Sequence, residues 1–235
     1  MLECLYKSGS DSKKLKKDNI KEIKSCINIK EGEYMNKRII KTTFILVMIG
    51  ILTLPAFAAV TGDPIKHYGL PLLITNAGQG PGGKMARLLV SQTKTLILDK
   101  DFFYKSEPVE TDLKDRPYKV LMVIIGSSDK GLGASGITIE QEIARLKRIM
   151  KAAKDMKLPV VAVMLEKDKR SDVPTNPNEQ CIDTICPYAE WMIVVKDANG
   201  DKRFDKLKEK YKIPLTIIDN AIDFTTLCKD IFKSN

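Results

Sequence analysis

The sequence predicts an α/β protein: a Rossmann-like or flavodoxin-like three-layer sandwich with a mainly parallel sheet of five or six strands. Short apolar runs rich in β-branched residues alternate with amphipathic stretches of helical period. Continuously apolar runs are typical of strands that are buried on both faces. Strands that alternate with helices favour a parallel sheet covered by helices on both sides.

The elements follow from this pattern in chain order. Six runs are predicted strands: residues 72–75, 95–98, 119–125, 160–165, 191–195 and 215–218. The clearest helix is 139–157, whose apolar residues recur at intervals of 4, 3, 4 and 3 and which Thr138 and Gln141 begin as a capping box. Weaker helices are predicted at 84–92, 178–186, 201–211 and 221–233. The charged segment 105–117 is predicted to be a surface loop.

An export signal precedes this domain and begins at an internal methionine, Met35. Cations between residues 37 and 41 are followed by an apolar run at 44–54 and by the small residues Ala56 and Ala58. The run of 11 residues is too short to stay in a bilayer as a helix. We therefore expect residues 35–58 to be a signal peptide cleaved near Ala58, an exported protein in the periplasm or medium, and no stable membrane anchor.

Residues 1–34 are polar and rich in lysine, which by composition is typical of a disordered extension. Lys30-Glu31-Gly32 can also be encoded by AAG-GAG-GGN, which contains a bacterial ribosome-binding sequence just before the Met35 codon. We expect residues 1–34 to be untranslated or disordered and 59–235 to form a single α/β domain. Without residues 1–58 the chain has 28 Lys+Arg and 24 Asp+Glu, so its net charge falls from +9 to +4. No basic patch remains that would predict nucleic-acid binding.

The first glycine-rich loop follows the first predicted strand and matches GxGxxG from Gly78 to Gly83. Its candidate ligand contacts are Asn76, Gly78, Gln79 and Gly80. Asp99 lies 21 residues beyond Gly78, where a dinucleotide-binding fold has its ribose carboxylate. Export argues against a dinucleotide, which is made and kept in the cytoplasm. The alternative is that the glycines only allow a tight strand-to-helix turn.

The second glycine-rich loop follows the third predicted strand and combines glycines, adjacent hydroxyls and a cation. Such a loop can turn backbone N–H groups toward an anion or a polar small molecule. The alternative is a mobile surface loop with a solvated lysine. Its candidate ligand contacts are Gly126, Ser127, Ser128, Lys130, Gly131 and Gly133.

Other chemistry-bearing residues receive structural interpretations. Glu142 and Arg145, three apart on the following helix, are expected to form a surface ion pair, although they could instead support the loop. The mixed charges of 166–172 indicate a solvated loop, and no metal site is expected. His67 is expected at the surface. The cysteines of the mature chain are expected to be small buried side chains, with a disulfide between Cys181 and Cys186 as the alternative.

The second loop, read as GSSxKGLGxxG and followed by Glu142 and Arg145 as ExxR, resembles an uncharacterised family of exported bacterial proteins with a domain of unknown function. The first strand's exit, from Ile74 to Gln79, is similar to the family's other marker. The similarity covers about residues 71–218 and departs at 164–172, where a histidine, glycines and paired arginines are expected. The resemblance implies a Rossmann-like fold and an extracytoplasmic location, and it implies no activity.

Three functional hypotheses remain. The first is an exported protein that binds a small polar or anionic ligand between the two glycine-rich loops, without catalysis or a favoured cofactor. The second is an enzyme that depends on a nucleotide or dinucleotide. The third is an envelope protein-interaction module.

Overall fold

Seven strands form one sheet in the computed structural model, which describes residues 60–167 and 170–233. The signal peptide and the extension before it, predicted at 35–58 and 1–34, lie outside the described residues. The strands are β1 (Thr61–Gly62), β2 (Leu72–Ala77), β3 (Phe102–Tyr104), β4 (Val120–Ile125), β5 (Val160–Met164), β6 (Trp191–Val195) and β7 (Leu215–Ile218). Their order is β1-β7-β6-β5-β4-β2-β3, and only β1 runs antiparallel to its neighbour.

Helices flank this sheet. They are α1 (Gly82–Ser91), α2 (Asp129–Ala134), α3 (Ile139–Asp155), α4 (Pro177–Ile185), α5 (Arg203–Tyr211) and α6 (Asp223–Ile231). The helix α1 packs against α6, and α3 packs against α4. Within the described residues no helix has both the length and the apolar character needed to cross a bilayer.

The burial of the central strands confirms the α/β prediction. Every residue of β4, β5 and β6 is buried, as expected of strands covered on both faces. The predicted capping box begins α3: Thr138 Oγ1 accepts from the Gln141 N–H at 3.3 Å, and Gln141 Oε1 accepts from the Thr138 N–H at 2.8 Å.

The predicted strand at 95–98 is wrong. These residues form a bend after α1, where Thr93 Oγ1 accepts the N–H groups of Thr95 and Leu96 at 3.3 and 3.2 Å, and Leu98 makes only an isolated bridge to Phe102. The second parallel strand is instead β3, whose residues Phe102 and Phe103 are buried. With the two-residue β1, the sheet has seven strands rather than five or six.

The segment 105–117 is also more ordered than the predicted surface loop. It contains a short 3₁₀ helix, Glu110–Lys114, and Leu113 within it is fully buried. The segment therefore packs on the domain and has a fixed place beside the carboxyl end of β3.

Candidate functional site

The order of the parallel strands reverses at β2, which pairs with β3 on one side and with β4 on the other. In doubly wound sheets such a reversal opens a crevice at the carboxyl ends of the two strands, and ligands bind there. Both glycine-rich loops leave the sheet at this point, one after β2 and one after β4. The fold thus brings together the two segments in which the sequence predicts binding residues.

The two loops are hydrogen-bonded directly to each other. The Gly80 N–H donates to Gly126 O at 2.8 Å, and the Ser128 N–H donates to Gly78 O at 3.0 Å. Gln79 and Ser127 form an isolated antiparallel bridge between these bonds. Because the loops are paired in this way, the interpretation of the second loop as a mobile surface loop does not fit the structure.

Close approach between the loops explains three of the glycines, Gly78, Gly80 and Gly131; a Cβ atom at Gly80 would lie 2.2 Å from the Gly126 carbonyl oxygen. Gly78 has a φ of +98°, and a Cβ atom there would lie 2.6 Å from the Ser127 Cα. A Cβ atom at Gly131 would lie 1.8 Å from the Gln79 carbonyl oxygen. Gly133, by contrast, would meet nothing within 4 Å. The glycines therefore differ in role: Gly78, Gly80 and Gly131 permit loop-to-loop contact, and Gly133 does not.

Several backbone N–H groups at the predicted contacts are already bonded within the protein. The N–H groups of Gly78 and Gly80 bond to Glu142 and Gly126, and the Ser127 N–H donates to Asn178 Oδ1 at 2.5 Å. These donors face the protein rather than a ligand. The first N–H groups of α1, from residues 82–84, have no partner within the helix, and Pro81 provides no side-chain cap.

The pair Glu142 and Arg145 lies beneath the loops, so the predicted surface ion pair is wrong. Glu142 is fully buried and Arg145 is 8% exposed. Arg145 donates from Nε to Glu142 Oε2 at 2.8 Å and from Nη2 to Oε1 at 2.7 Å. Glu142 also accepts the Gly78 N–H at 2.9 Å and the Gln79 amide at 3.3 Å.

Arg145 extends this support to two further segments. Its guanidinium donates to Asn76 O at 3.0 Å and to Pro108 O at 3.2 Å. One helix thereby holds the exit of β2, the first glycine-rich loop and the segment after β3. The support role that the sequence left as an alternative is the one observed.

A cavity of about 420 Å³ lies above the crevice. Of the sequence-predicted contacts, six line it: Asn76, Gln79, Gly80, Ser128, Lys130 and Gly131. The other four do not: Gly78, Gly126, Ser127 and Gly133. The lining also includes residues that the sequence analysis missed: Pro81, Lys84, Ser106, Glu107, Ala134 and Ser135. Lys84 could have been noticed as the cation in the first turn of a predicted helix. Nothing in the sequence marked Ser106 or Glu107.

The charges in the lining are unevenly compensated. Lys84 and Lys130 are exposed, and neither has an ion-pair or side-chain hydrogen-bond partner among residues 60–167 and 170–233. Glu107 accepts a hydrogen bond from the Ser135 hydroxyl at 2.6 Å. The cavity therefore has two unpaired ammonium groups and one carboxylate that a hydroxyl already contacts.

Asn76 contributes a buried polar group to this lining. Its Nδ2 donates to the Tyr104 hydroxyl at 3.2 Å, while its Oδ1 has no partner although the residue is only 4% exposed. Burial, above all, raises the pKa of the Tyr104 phenol above its usual value, so this hydroxyl stays protonated. The unpartnered oxygen is an acceptor close to the start of α1, where a Cβ on Gly83 would lie 1.6 Å from it.

Asp99 does not take the place that a dinucleotide site requires. It lies in the turn before β3, with a φ of 61°, and therefore at the amino edge of the parallel sheet. The glycine-rich loops lie at the carboxyl edge. The predicted pairing of Asp99 with the first loop is wrong because the strand begins three residues after Asp99 instead of ending there.

The segment after β5 departs from the predicted solvated loop at Arg170. This side chain is 10% exposed and donates from Nε to Glu179 Oε1 at 2.8 Å and from Nη2 to Asp201 Oδ2 at 2.8 Å. Arg203 contacts the same Glu179 at 2.8 Å. The buried Glu179 thus joins two arginines into a network that fixes the start of α4. No cluster of three or more metal-ligating side chains occurs in the part of the chain that the structure describes.

The cysteines and the histidine lie where the sequence predicts. Cys181, Cys186 and Cys228 are free and buried, so the alternative disulfide is not formed. His67 is exposed, and its Nδ1 lies 2.9 Å from the Asp230 carbonyl oxygen.

The fold and the crevice define a doubly wound α/β protein with paired loops at the strand-order reversal. The chain belongs to the family described as a domain of unknown function, DUF6305, which matches residues 69–232. This agrees with the resemblance to an uncharacterised family; the loop motif itself stays a prediction. A search of curated proteins returns no match. Among solved structures, a serine-to-alanine mutant of the esterase AlinE4 is 14% identical, with 74% of this chain and 86% of that chain covered and a TM-score of 0.28. A likeness this low carries no argument about activity.

Proposed function

We propose that this protein is an exported binding protein that holds a small anionic ligand in the cavity that the two glycine-rich loops help to line. The observation that carries the proposal is that Lys84 and Lys130, in the first turns of α1 and α2, line one cavity without an ion-pair partner in residues 60–167 and 170–233. A single anion between them would compensate both charges. A hydrogen bond to a charged group contributes about 1.5–3 kcal/mol.

A further feature supports binding at this place. The cavity has a rigid floor, because Glu142 and Arg145 tie the first glycine-rich loop and the segment after β3 to α3. A pre-formed site loses little free energy to ordering when a ligand binds.

The binding proposal is tested by isothermal titration of residues 59–235 with inorganic phosphate, sulfate and citrate. The test variant is Lys84→Ala/Lys130→Ala. Its matched control is Lys100→Ala/Lys119→Ala, which removes two exposed lysines near the amino edge of the sheet. We expect the test variant to weaken binding by about a hundredfold, equivalent to roughly 2.8 kcal/mol, and the control to bind as the unmodified protein does.

Two outcomes would contradict the proposal. One is that none of the three anions binds the unmodified protein. The other is that both double variants weaken binding equally, since that would indicate a diffuse effect of net charge rather than a site.

Export is the second part of the proposal, and its support is the signal pattern that begins at Met35. Expression of the full coding region in a bacterial host, followed by N-terminal sequencing of the secreted or periplasmic product, tests it. A terminus at Ala59 is the expected result. A terminus at Met1 in the cytoplasmic fraction would overturn it.

A further inference from the structure

We infer that the ligand is a small hydroxylated anion, such as a polyol phosphate or a hydroxy acid, and that Glu107 selects for its hydroxyl end. The inference rests on the proposed anion site and adds the chemistry of the rest of the ligand. It comes from the side chains that line the cavity, which include Lys130 in the first turn of α2 and Glu107, which the C-cap residue of that helix contacts.

Helix α2 separates Lys130 from the residue that contacts Glu107. Lys130 lies in its first turn, and Ser135, its C-cap residue, holds Glu107 by a 2.6 Å hydrogen bond. Residues five apart on a helix are displaced by about 7.5 Å along its axis. With a volume of about 420 Å³, the cavity can hold a ligand larger than a single phosphate or sulfate.

A ligand group that contacts Glu107 must be a hydrogen-bond donor. An ionised Glu107 only accepts hydrogen bonds, and a second anionic group placed against it would be repelled. The hydroxyls of Ser106 and Ser128 also line the cavity and can donate or accept.

A hydroxyl fits beside Glu107 better than an ammonium group does. Glu107 accepts the Ser135 hydroxyl, and an ammonium group placed in the cavity would be repelled by Lys84 and Lys130, which line the same space. The residues that line the cavity include no aromatic ring that could hold a cation over its face. Serine hydroxyls and amides are the groups that pair readily with a polyol.

Three probes that share a phosphate and differ at the other end test the inference: glycerol 3-phosphate, propyl phosphate and phosphoethanolamine. Each is titrated calorimetrically into residues 59–235. We expect glycerol 3-phosphate to bind about tenfold more tightly than propyl phosphate, which is the contribution of roughly one hydrogen bond to a charged group.

The variant Glu107→Ala should bring the affinities for glycerol 3-phosphate and propyl phosphate to within about twofold of each other, because it removes the group that reads the hydroxyls. It should not weaken propyl phosphate binding. Asp129→Ala is the matched control: it removes a nearby exposed carboxylate that does not line the cavity, and it should leave the preference unchanged.

The possible outcomes distinguish a failure of this inference from a failure of the proposed anion site. Equal affinity for all three probes, with binding still lost in Lys84→Ala/Lys130→Ala, would overturn the hydroxylated class and keep the anion site. Tightest binding of phosphoethanolamine would overturn it in favour of a zwitterion. Binding of none of the probes would overturn both.

Discussion

The buried ion pair of Glu142 and Arg145 affects the stability of the protein more than an exposed pair would. Glu142 is fully buried and receives bonds from Arg145, Gly78 and Gln79. An exposed pair at this spacing would contribute only about 0.3–0.5 kcal/mol. A buried pair differs because removing one partner leaves an uncompensated charge without solvent.

We predict that Arg145→Met lowers the free energy of unfolding by about 3–5 kcal/mol, since the Glu142 carboxylate stays buried without its partner. The double variant Glu142→Gln/Arg145→Met should recover part of this loss because no charge then remains. Urea unfolding of both variants measures the difference. If Arg145→Met costs under about 1 kcal/mol, the pair behaves like a surface pair and its role as the floor of the crevice is wrong.

Two glycines of α2 offer a second comparison at this scale. Gly131→Ala places a Cβ 1.8 Å from the Gln79 carbonyl oxygen, whereas Gly133→Ala meets nothing within 4 Å. We predict that Gly131→Ala destabilises the protein by about 1–3 kcal/mol or more, as overpacking does. Gly133→Ala should be neutral or stabilising by up to about 1 kcal/mol, because alanine favours a helix.

Thermal unfolding of the two alanine variants distinguishes them. Both substitutions add the same methyl group to the same helix, so each is the control for the other. Equal melting temperatures would contradict the loop-to-loop contact at Gly131.

At the scale of elements, the segment between β3 and β4 carries two lining residues and is held at several points. Lys105 Nζ lies 2.7 Å from Asp112 Oδ1 and 2.5 Å from Asp115 Oδ2. The hydrogen bond from Lys105 is the main reason that the pKa of the Asp112 carboxyl is lowered. Since that pKa is lowered, the stabilisation from Asp112 is present above its ordinary pKa of 3.8 and is lost as the pH falls below it.

We predict that Lys105→Met loosens this segment and speeds tryptic cleavage after Lys114 at neutral pH, with little change in global stability. Partly exposed ion pairs contribute about 1 kcal/mol or less, so the effect is local. Mass spectrometry of a digestion time course measures the rate. Lys100→Met, which removes an exposed lysine from the turn before β3, should leave the rate unchanged, and an unchanged rate in Lys105→Met would show that these ion pairs do not hold the segment.

At the scale of the whole molecule, the sequence predicts those strands and helices whose positions are determined by the pattern of hydrophobic residues. The strands β4 to β7 and the helix α3 are found because long apolar runs and a clear helical period have few alternative structures. The strand β3 is missed because three residues at the sheet's edge give a weaker signal than the β-branched run 95–98 before them. The burial of Glu142 and Arg145 is missed because a buried ion pair and an exposed one can have the same spacing of three residues in the sequence. The crevice itself depends on strand order, which no local pattern encodes.

The three buried thiols make the stability of the whole domain depend on pH in the alkaline range. Burial raises the pKa of Cys181 and Cys186 from 9.0 to about 12, and it raises that of Cys228 as well. A raised folded-state pKa means that the stabilisation is fully present below pH 9 and is lost as the pH rises toward 12. Each thiol can contribute a slope of up to about 1.4 kcal/mol per pH unit in this window, because only the unfolded chain releases the proton.

We therefore predict that the free energy of unfolding falls more steeply between pH 9 and pH 11 in the unmodified protein than in Cys181→Ala/Cys186→Ala/Cys228→Ala. Lysines and tyrosines also titrate here, but they are common to both proteins, so the difference isolates the thiols. Urea unfolding at several pH values under reducing conditions gives both slopes.

In the folded protein at pH 8, all three thiols should react slowly with a thiol reagent and then rapidly once urea is added. Parallel slopes together with fast reaction of the folded protein would show that the thiols are accessible and would remove this source of pH dependence.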